Sequence, residues 1–447
     1  MPTIGPRIVI SGTHSGVGKT TVATGLMAAL AGRGLRVASA KVGPDFIDPG
    51  FHSVATGRPG RSLDAWLSGD ELLAPLAAAA GHGSDVLVIE GVMGLFDGSA
   101  QPGCDGSTAA VARLLDAPVV LVVDASAMSG SVAALVHGYR DLDRRVRFAG
   151  VILNQVGSEG HAVLLREALA PLGVPVLGAL LHDDAMAWRE RHLGLVPVAE
   201  RPGEVRAAID RVAARIASGC DLEALMAAAR AAPPQTVGVL PQARNVGRAR
   251  VALAAGPAFT FTYPENLALL EQAGAELLPF DPLNDPSLPD RCDALYAGGG
   301  FPEVYAHALG DNRSLLGRVR ERLRSGLVTW AECGGLLWLC RSLDGVEMIG
   351  AIDAEAQMTE GLTIGYRTAV AQKSTPLGPA GTALRGHEFH RSSVEPAGDA
   401  LELSSRFGTA TAGFASPRLF ASYLHQHLAA APALAERFVA RAAGAAG

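Results

Sequence analysis

In the first half of the chain, short apolar runs alternate with alanine-rich stretches that have helical spacing. The runs are apolar at consecutive positions instead of at every second position, which is the pattern of strands that are buried on both faces of a parallel sheet. They lie at 8–10, 36–40, 85–90, 118–124, 148–154 and 175–180. The pattern therefore predicts a parallel sheet covered by helices, with ligands bound at the carboxyl ends of its strands.

This pattern is interrupted once and then begins again. Residues 227–242 are rich in proline and alanine and are followed by a basic stretch at 244–250, a composition that is typical of a linker. Further apolar runs predict strands at 250–254, 275–279 and 293–297 and a helix at 267–273. We therefore predict an α/β protein with two domains, 1–232 and 249–447, joined by a linker at 233–248.

Residues 8–21 have the order of strand, glycine-rich turn and helix that is typical of the P-loop of NTPases. The glycines allow backbone N–H groups to point at a polyphosphate, and the start of the helix adds a positive dipole. The strict motif has glycine where this chain has Thr13, so the loop is a lengthened variant; the alternative is an ordinary glycine-rich turn. Lys19 is predicted to reach the β and γ phosphates, and the Thr20 hydroxyl to bind Mg²⁺. The loop residues predicted to bind ATP are Gly12, Thr13, Gly16, Val17, Gly18, Lys19, Thr20 and Thr21.

Lysine is rare in this chain: of 38 basic residues, only Lys19, Lys41 and Lys373 are lysine. A compact ammonium fits a tight phosphate cradle better than a planar guanidinium does. We therefore predict that Lys41, which follows the second predicted strand, also contacts ATP. Asn154 ends another predicted strand and is predicted to bind the adenine edge of ATP, with a turn-forming role as the alternative.

Four carboxylates follow strands at the same predicted edge of the sheet, namely Asp45, Asp48, Glu90 and Asp97. Glu90 directly ends a strand, which is where a P-loop protein keeps a carboxylate near Mg²⁺. So much negative charge in one place requires a cation, and we predict Mg²⁺ bound by Thr20, Asp45 and Glu90. The alternative is that the aspartates are solvated caps of loops.

A second chemical centre is predicted at Cys333, where a strand ends and two glycines permit a tight turn into a helix. This elbow exposes a nucleophile at the start of a helix, and the helix dipole together with His425 is expected to lower the thiol pKa. The backbone N–H groups of Gly299 and Gly300 are predicted to form an oxyanion hole. The alternative for any cysteine is a buried, inert thiol. We expect this of the other four, Cys104, Cys220, Cys292 and Cys340.

The composition excludes several classes of protein. The net charge of −6 provides no basic face for nucleic acid. The five cysteines contain no C-x-x-C pair, which disfavours a zinc site or a disulfide framework and fits a reducing cytoplasm. The N-terminus has no signal-like segment and no apolar run reaches about 18 residues, so secretion and a membrane span are not expected. We therefore expect a cytoplasmic enzyme, and its oligomeric state stays open, with a homodimer among the alternatives.

Six motifs together resemble the cobyrinic acid a,c-diamide synthase family, including the hydrogenobyrinic acid a,c-diamide synthases. They lie at 12–20, 41–52, 90–98, 298–303, 331–335 and 422–427, and the resemblance covers nearly the whole chain. It implies a dethiobiotin-synthetase-like ATP domain of the P-loop type, followed by a class I (triad) glutamine amidotransferase-like α/β domain. It also implies that Cys333 is the glutaminase nucleophile and that His425 is its base.

The resemblance implies a carbon–nitrogen ligase of cobalamin biosynthesis that uses ATP, glutamine and Mg²⁺. Ammonia from glutamine, delivered through the protein, displaces phosphate from an acyl phosphate, in two rounds on the a and c carboxylates of a corrin ring. Asp45, Asp48 and Asp97 are implied contacts of this polycarboxylate substrate. One position departs from the family pattern, because triad glutaminases carry His-x-Glu and this chain has His427 at the third place. The group that orients His425 is therefore open.

Two other functions stay compatible with parts of the sequence. A partitioning or switch ATPase with a C-terminal interaction module accounts for the P-loop but not for Cys333, His425 and the glycine triplet at 298–300 together. A cobyric acid synthase amidates other side chains of the same ring. Whether the ring contains cobalt, and which carboxylate reacts first, is not decided by the sequence.

Overall fold

The computed structural model describes residues 1–98, 105–183, 190–191, 194–195, 198 and 202–444. The chain divides into two compact units, Met1–Leu240 and Pro241–Gly447. The division falls inside the stretch 233–248 that the sequence analysis assigned to a linker. Each unit has its own sheet and is described separately below.

The first unit contains eleven strands and nine helices within its described residues. The strands are β1 (Thr3–Ile4), β2 (Arg7–Gly12), β3 (Val37–Val42), β4 (Arg61–Leu63), β5 (Val86–Glu90), β6 (Val119–Asp124), β7 (Phe148–Val156), β8 (Val176–Leu181), β9 (Glu190–Arg191), β10 (Gly194–Leu195) and β11 (Gln235–Thr236). The helices are α1 (Lys19–Gly32), α2 (Ile47–Thr56), α3 (Ala65–Ser68), α4 (Asp70–Ala80), α5 (Thr108–Leu114), α6 (Ser131–Asp141), α7 (Glu159–Leu169), α8 (Pro202–Gly219) and α9 (Leu222–Arg230).

Seven of these strands form one parallel sheet in the order β4-β3-β5-β2-β6-β7-β8. Every residue of β2, β3 and β5 is buried, because helices cover both faces of the sheet. This confirms the parallel sheet predicted from the continuous apolar runs. Strands β2, β3 and β5 are neighbours, so the loops that follow Gly12, Val42 and Glu90 meet at one edge of the sheet.

The second unit contains twelve strands and five helices within its described residues. The strands are β12 (Ala249–Ala254), β13 (Ala275–Phe280), β14 (Ala294–Ala297), β15 (Val328–Glu332), β16 (Ser342–Leu343), β17 (Val346–Glu347), β18 (Glu355–Ala371), β19 (Ala383–Glu395), β20 (Leu401–Ser405), β21 (Gly408–Ala412), β22 (Phe414–Ser416) and β23 (Leu419–Ser422). The helices are α10 (Pro264–Ala273), α11 (Ala306–Asp311), α12 (Arg313–Arg324), α13 (Gly334–Leu339) and α14 (Pro432–Gly444).

Two sheets organise this second unit. The first has the order β13-β12-β14-β15-β23-β22 and is parallel except for β22, which runs antiparallel to β23. It contains the predicted strands and supports the α/β class. The second sheet, built on the long antiparallel pair of β18 and β19, was not predicted, because most residues of β18 are exposed and its hydrophobic alternation is weak. Among the described residues, no helix has the length and apolar character needed to span a membrane.

Candidate active sites

The P-loop of the first unit connects β2 to α1 and folds over its own lysine. Gly18 has φ 95°, a left-handed conformation that favours glycine, and a Cβ there would stand 2.4 Å from Asn154 Nδ2. A Cβ on Gly12 would stand 2.8 Å from the Lys19 stem. The Lys19 ammonium donates to the His14 carbonyl oxygen at 2.9 Å. The backbone of the loop therefore holds the Lys19 ammonium, and a bound phosphate group would replace the His14 carbonyl oxygen as its partner.

The charge of Lys19 is sensitive to its surroundings. Burial, followed by the nearby Lys41, lowers the pKa of Lys19 to about 8, against the opposing effect of Glu90, Asp48 and Asp97. A polyphosphate next to this ammonium would favour its charged form. The site therefore holds a lysine whose full charge depends on an anionic ligand.

Glu90, at the end of β5, is the centre of a buried network. Its Oε1 accepts hydrogen bonds from the Thr20 hydroxyl at 2.6 Å and from Lys41 Nζ at 2.8 Å. Its Oε2 lies 2.7 Å from His52 Nε2 on α2. Burial by itself would raise the pKa of Glu90, but Lys41 and His52 together hold it well below its usual range. Glu90 is therefore an ionised carboxylate whose two oxygens have fixed partners.

Asp48 shares the Lys41 ammonium with Glu90. Its Oδ2 lies 2.7 Å from Lys41 Nζ and 3.4 Å from the Thr20 hydroxyl. Burial and the charges of Asp45 and Glu90 raise the pKa of Asp48 well above its usual range despite Lys41. Lys41 can balance only one of the two carboxylates, so Glu90 stays ionised and the protonated form of Asp48 is favoured.

These carboxylates need Mg²⁺ less than the sequence suggested, because the Lys41 ammonium already balances part of their negative charge. Burial would lower the pKa of Lys41, but Asp48, Glu90 and Asp45 raise it well above its usual value. Among the described residues, no three His, Cys, Asp or Glu side chains are arranged to hold a metal ion. The hard oxygens of Thr20, Asp48 and Glu90 do converge, and they suit Mg²⁺ that is bound jointly by one or two carboxylates and substrate phosphates.

Asp45, a predicted metal and substrate ligand, has a structural contact instead. Its Oδ1 accepts hydrogen bonds from the backbone N–H groups of Ile47 at 2.7 Å and Asp48 at 3.2 Å, which caps the first turn of α2. Asp48, which was predicted only as a substrate contact, is the aspartate that lies with Thr20 and Glu90. The Mg²⁺ contact of Asp45 stays a prediction, and in this structure its Oδ1 is directed towards the backbone of α2.

Two further predicted residues support loops in this structure. Asp97 Oδ2 accepts from the Gly94 N–H at 2.8 Å, and Asn154 Nδ2 donates to the Val17 carbonyl at 2.9 Å. The adenine contact of Asn154 stays a prediction. His52 was not among the predicted site residues, although it lies four residues after Asp48 and therefore on the same face of α2.

The candidate nucleophile of the second unit lies at a strained elbow. Cys333 follows β15 and has φ 47° and ψ −102°, a conformation that is costly for a residue with a side chain. Its N–H donates to the Ser422 carbonyl at 2.8 Å, and the Gly335 N–H donates to the Gly298 carbonyl at 3.0 Å. These bonds attach the elbow both to the end of β23 and to the glycine triplet, as the nucleophile elbow predicts.

His425 lies directly against the glycine triplet. A Cβ on Gly299 would stand 2.4 Å from His425 Cε1. A Cβ on Gly334, the residue after Cys333, would stand 3.0 Å from the backbone nitrogen of Gly300. The three segments that carry the nucleophile, the base and the triplet therefore pack so closely that glycine is required at their contacts.

The protonation states differ from those expected from the sequence. Burial, with the charges of Glu303, Glu332 and Glu388, raises the pKa of the Cys333 thiol, and only the Gly334 N–H opposes this. Burial lowers the pKa of His425 well below its usual value. The expectation of a lowered thiol pKa was therefore wrong, because desolvation outweighs the dipole of the six-residue helix α13. Both shifts favour the neutral forms of the thiol and the imidazole.

The predicted oxyanion hole is also changed. The Gly299 N–H already donates to the Phe261 carbonyl oxygen at 3.1 Å, so in this structure it does not point at a substrate. The backbone nitrogen of Gly300 lies next to Gly334, since a Cβ on Gly334 would stand 3.0 Å from it. Gly334 was not predicted, although the residue after the nucleophile supplies an oxyanion donor in other elbows.

The remaining described cysteines, Cys220, Cys292 and Cys340, are buried. Burial raises the pKa of each thiol, as it does for Cys333, so the direction of the pKa shift does not distinguish the nucleophile. Cys104 lies outside the described residues. Cys333 differs from the other three by its strained backbone and by the packing of its elbow against the glycine triplet.

Known proteins match this chain along nearly all of its length. Residues 8–196 match the CobQ/CobB/MinD/ParA nucleotide binding domain, and residues 250–433 match the CobB/CobQ-like glutamine amidotransferase domain. The hydrogenobyrinate a,c-diamide synthase of Streptomyces coelicolor is 52% identical over 98% of this chain and 97% of its own length. The enzyme of the same name from Thermobifida fusca is 50% identical over 97% and 96%. The cobyrinate a,c-diamide synthase of Synechococcus is 41% identical over 97% of each chain.

Proposed function

Since this chain belongs to the hydrogenobyrinate and cobyrinate a,c-diamide synthase family, we propose that it amidates the a and c carboxylates of one of these ring acids. The reaction uses ATP and glutamine and serves cobalamin biosynthesis, which makes the enzyme a carbon–nitrogen ligase with glutamine as the amido-nitrogen donor. The observation that carries the proposal is the strained Cys333 elbow and His425, both packed against the glycine triplet at 298–300, in a chain whose other unit has a P-loop with Lys19.

In the glutaminase half, Cys333 attacks the side-chain carbonyl carbon of glutamine. His425 is neutral and accepts the thiol proton as the C–S bond forms, so no thiolate is needed in the resting enzyme. The N–H groups of Gly300 and Gly334 stabilise the oxyanion. His425 returns the proton to the leaving nitrogen as the C–N bond breaks, which releases ammonia. Water, deprotonated by His425, then hydrolyses the thioester to glutamate and restores the thiol.

In the synthetase half, a ring carboxylate attacks the γ-phosphorus of ATP, and ADP leaves with the electrons of the broken P–O bond. Lys19 and Lys41 stabilise the charge that develops on the phosphate oxygens. Ammonia then attacks the acyl phosphate carbon and inorganic phosphate leaves, which gives the amide after loss of a proton. Two rounds produce the diamide.

Mg²⁺, when bound, would neutralise phosphate charge in this half. The residues suited to hold it are Thr20, Glu90 and Asp48, whose oxygens converge. Lys41 contacts both carboxylates, so Lys41 has to share them or move towards the phosphates. Asp97 and the remaining surface of Asp45 are proposed substrate contacts. The cytoplasmic location and the homodimer stay predictions.

We further propose that the metal-free ring acid, hydrogenobyrinic acid, is the preferred substrate. This is supported by identities of 45–52% to relatives named for hydrogenobyrinate, against 40–42% to relatives named for cobyrinate. Steady-state turnover of the two rings under the same conditions tests this. Faster use of the cobalt-containing ring would contradict it.

The decisive test of the proposed function is Cys333→Ala. Glutamine-dependent amidation should vanish, whereas amidation from ammonium salt at a pH above about 8, where more free ammonia exists, should continue. Cys292→Ala is the matched control, because it removes a buried thiol of the same unit that lies outside the site. Equal loss with both nitrogen sources, or glutamine-dependent turnover in Cys333→Ala, would overturn the assignment. Absence of any glutaminase activity in the parent enzyme would favour an ATPase with an interaction module.

A further inference from the structure

The residue in the third triad position does not face His425. The His427 ring packs edge-on against Tyr263, with ring centroids 4.7 Å apart, and its Nε2 lies 3.7 Å from Glu265 Oε2 on α10. In triad glutaminases a carboxylate at this position orients the catalytic histidine. Here His427 contacts Glu265 instead, so another residue has to orient the His425 imidazole.

The side chain that stacks on His425 belongs to β19. The rings of His387 and His425 are nearly parallel, 19° apart, with centroids separated by 5.1 Å. The two residues also exchange both backbone hydrogen bonds, at 3.0 and 2.9 Å. Such a residue pair places its two side chains on the same face. Both residues are almost completely buried, with 2% and 1% of their surfaces exposed, so the ring stack is held by backbone and packing together.

The orientation of the His387 ring is itself fixed. Its Nε2 lies 3.1 Å from the Tyr263 hydroxyl. Burial lowers the pKa of His387 to about 3, and a hydrogen bond to the Glu388 backbone opposes this effect. The His387 ring is therefore held by two groups, the Tyr263 hydroxyl and the Glu388 backbone.

We propose that His387 is the positioning residue for His425, and that the Tyr263–His387 pair replaces the missing triad carboxylate. This inference rests on the proposed glutaminase function. The His387 ring fixes the plane of the His425 imidazole beside Gly299, while Tyr263 prevents rotation of His387 about its own χ angles. Because His387 is neutral, it orients the base without adding a counter-charge, which agrees with a reaction that begins from a neutral thiol and a neutral imidazole.

Three variants separate the ring stack from the hydrogen bond. His387→Ala removes the stacked ring and should lower kcat of glutamine-dependent amidation by about 10- to 100-fold, the size found for residues that orient a functional histidine. KM for glutamine should change by less than about 3-fold, because His387 is not expected to contact glutamine. His387→Phe restores a flat ring and should recover most of kcat. Tyr263→Phe keeps the stack, removes the hydroxyl and should give an intermediate value.

Loss of folded protein is excluded by counting active sites. A diazo-ketone analogue of glutamine that alkylates the Cys333 thiol titrates the competent sites, and kcat is expressed per titrated site. A kcat for His387→Ala within about 3-fold of the parent would overturn the inference, as would a His387→Phe variant as slow as His387→Ala. If Cys333→Ala is inactive with glutamine in the same assay while His387→Ala is unaffected, only this inference fails. If Cys333→Ala stays active, the proposed function fails.

Discussion

Gly299→Ala is the substitution whose effect follows most directly from the geometry. The Gly299 backbone does not adopt the left-handed region, so alanine is acceptable there on backbone grounds. The new Cβ, however, would stand 2.4 Å from His425 Cε1, whereas ordinary contacts begin at 3.4 Å. His425 is buried and stacked on His387, so it cannot move freely. The base must shift by about 1 Å.

The size of the effect can be worked from this displacement. A misplacement of about 1 Å in a catalytic constellation costs about 100-fold in rate, which corresponds to about 2.7 kcal/mol of transition-state stabilisation. Glutamine-dependent amidation should therefore fall by about two orders of magnitude in kcat. Amidation from ammonium salt should not change, because that reaction uses the P-loop unit and does not require His425.

The assay follows diamide formation by chromatography with glutamine and with ammonium salt as nitrogen sources. Gly317→Ala is the matched control, since Gly317 lies within α12 of the same unit and a Cβ there would meet no atom within 4 Å. This control should be neutral or stabilising by up to about 1 kcal/mol. Glutamine-dependent turnover of Gly299→Ala within about 3-fold of the parent would refute the reasoning that His425 is held against Gly299.

The other predictions concern the P-loop unit. Because the pKa of Lys19 is lowered to about 8, its charge is lost as the pH rises through that value, and bound ATP should restore it. ATP binding should therefore take up about half a proton near pH 8 and almost none near pH 6. Calorimetry in buffers of different ionisation enthalpy measures this proton uptake. Uptake that persists in Lys19→Met would contradict its assignment to Lys19. Glu90→Gln should slow both amidations by one common factor, since it changes the phosphate site. Asp97→Asn should instead alter the ratio of monoamide to diamide in a time course, and the reverse pattern would exchange the two roles.

Signals that are local in the chain were sufficient for the architecture and for the two sharp turns that precede α1 and α13. Consecutive apolar residues predicted the buried parallel strands, because only a strand covered on both faces excludes polar residues from every position. The glycines before Lys19 and after Cys333 predicted the two sharp turns, because the backbone conformation of a turn is determined largely by the residues within it. The sheet built on β18 escaped prediction because β18 itself is largely exposed and has weak hydrophobic alternation.

Contacts between residues far apart in the chain were decided only by the tertiary structure. Lys41 and His52 reach Glu90 across 49 and 38 residues, and no local pattern indicates that Lys41 supplies the cation assigned to Mg²⁺. Burial, which depends on the whole packed unit, reverses the expected protonation of Cys333. The stack of His387 on His425 and the bond from Gly299 to Phe261 likewise arise when separate strands pair. The sequence by itself therefore determined the architecture and the two sharp turns, whereas packing determined the charge and the partners of the side chains around them, because electrostatic energy depends on neighbours in space and not on neighbours in the chain.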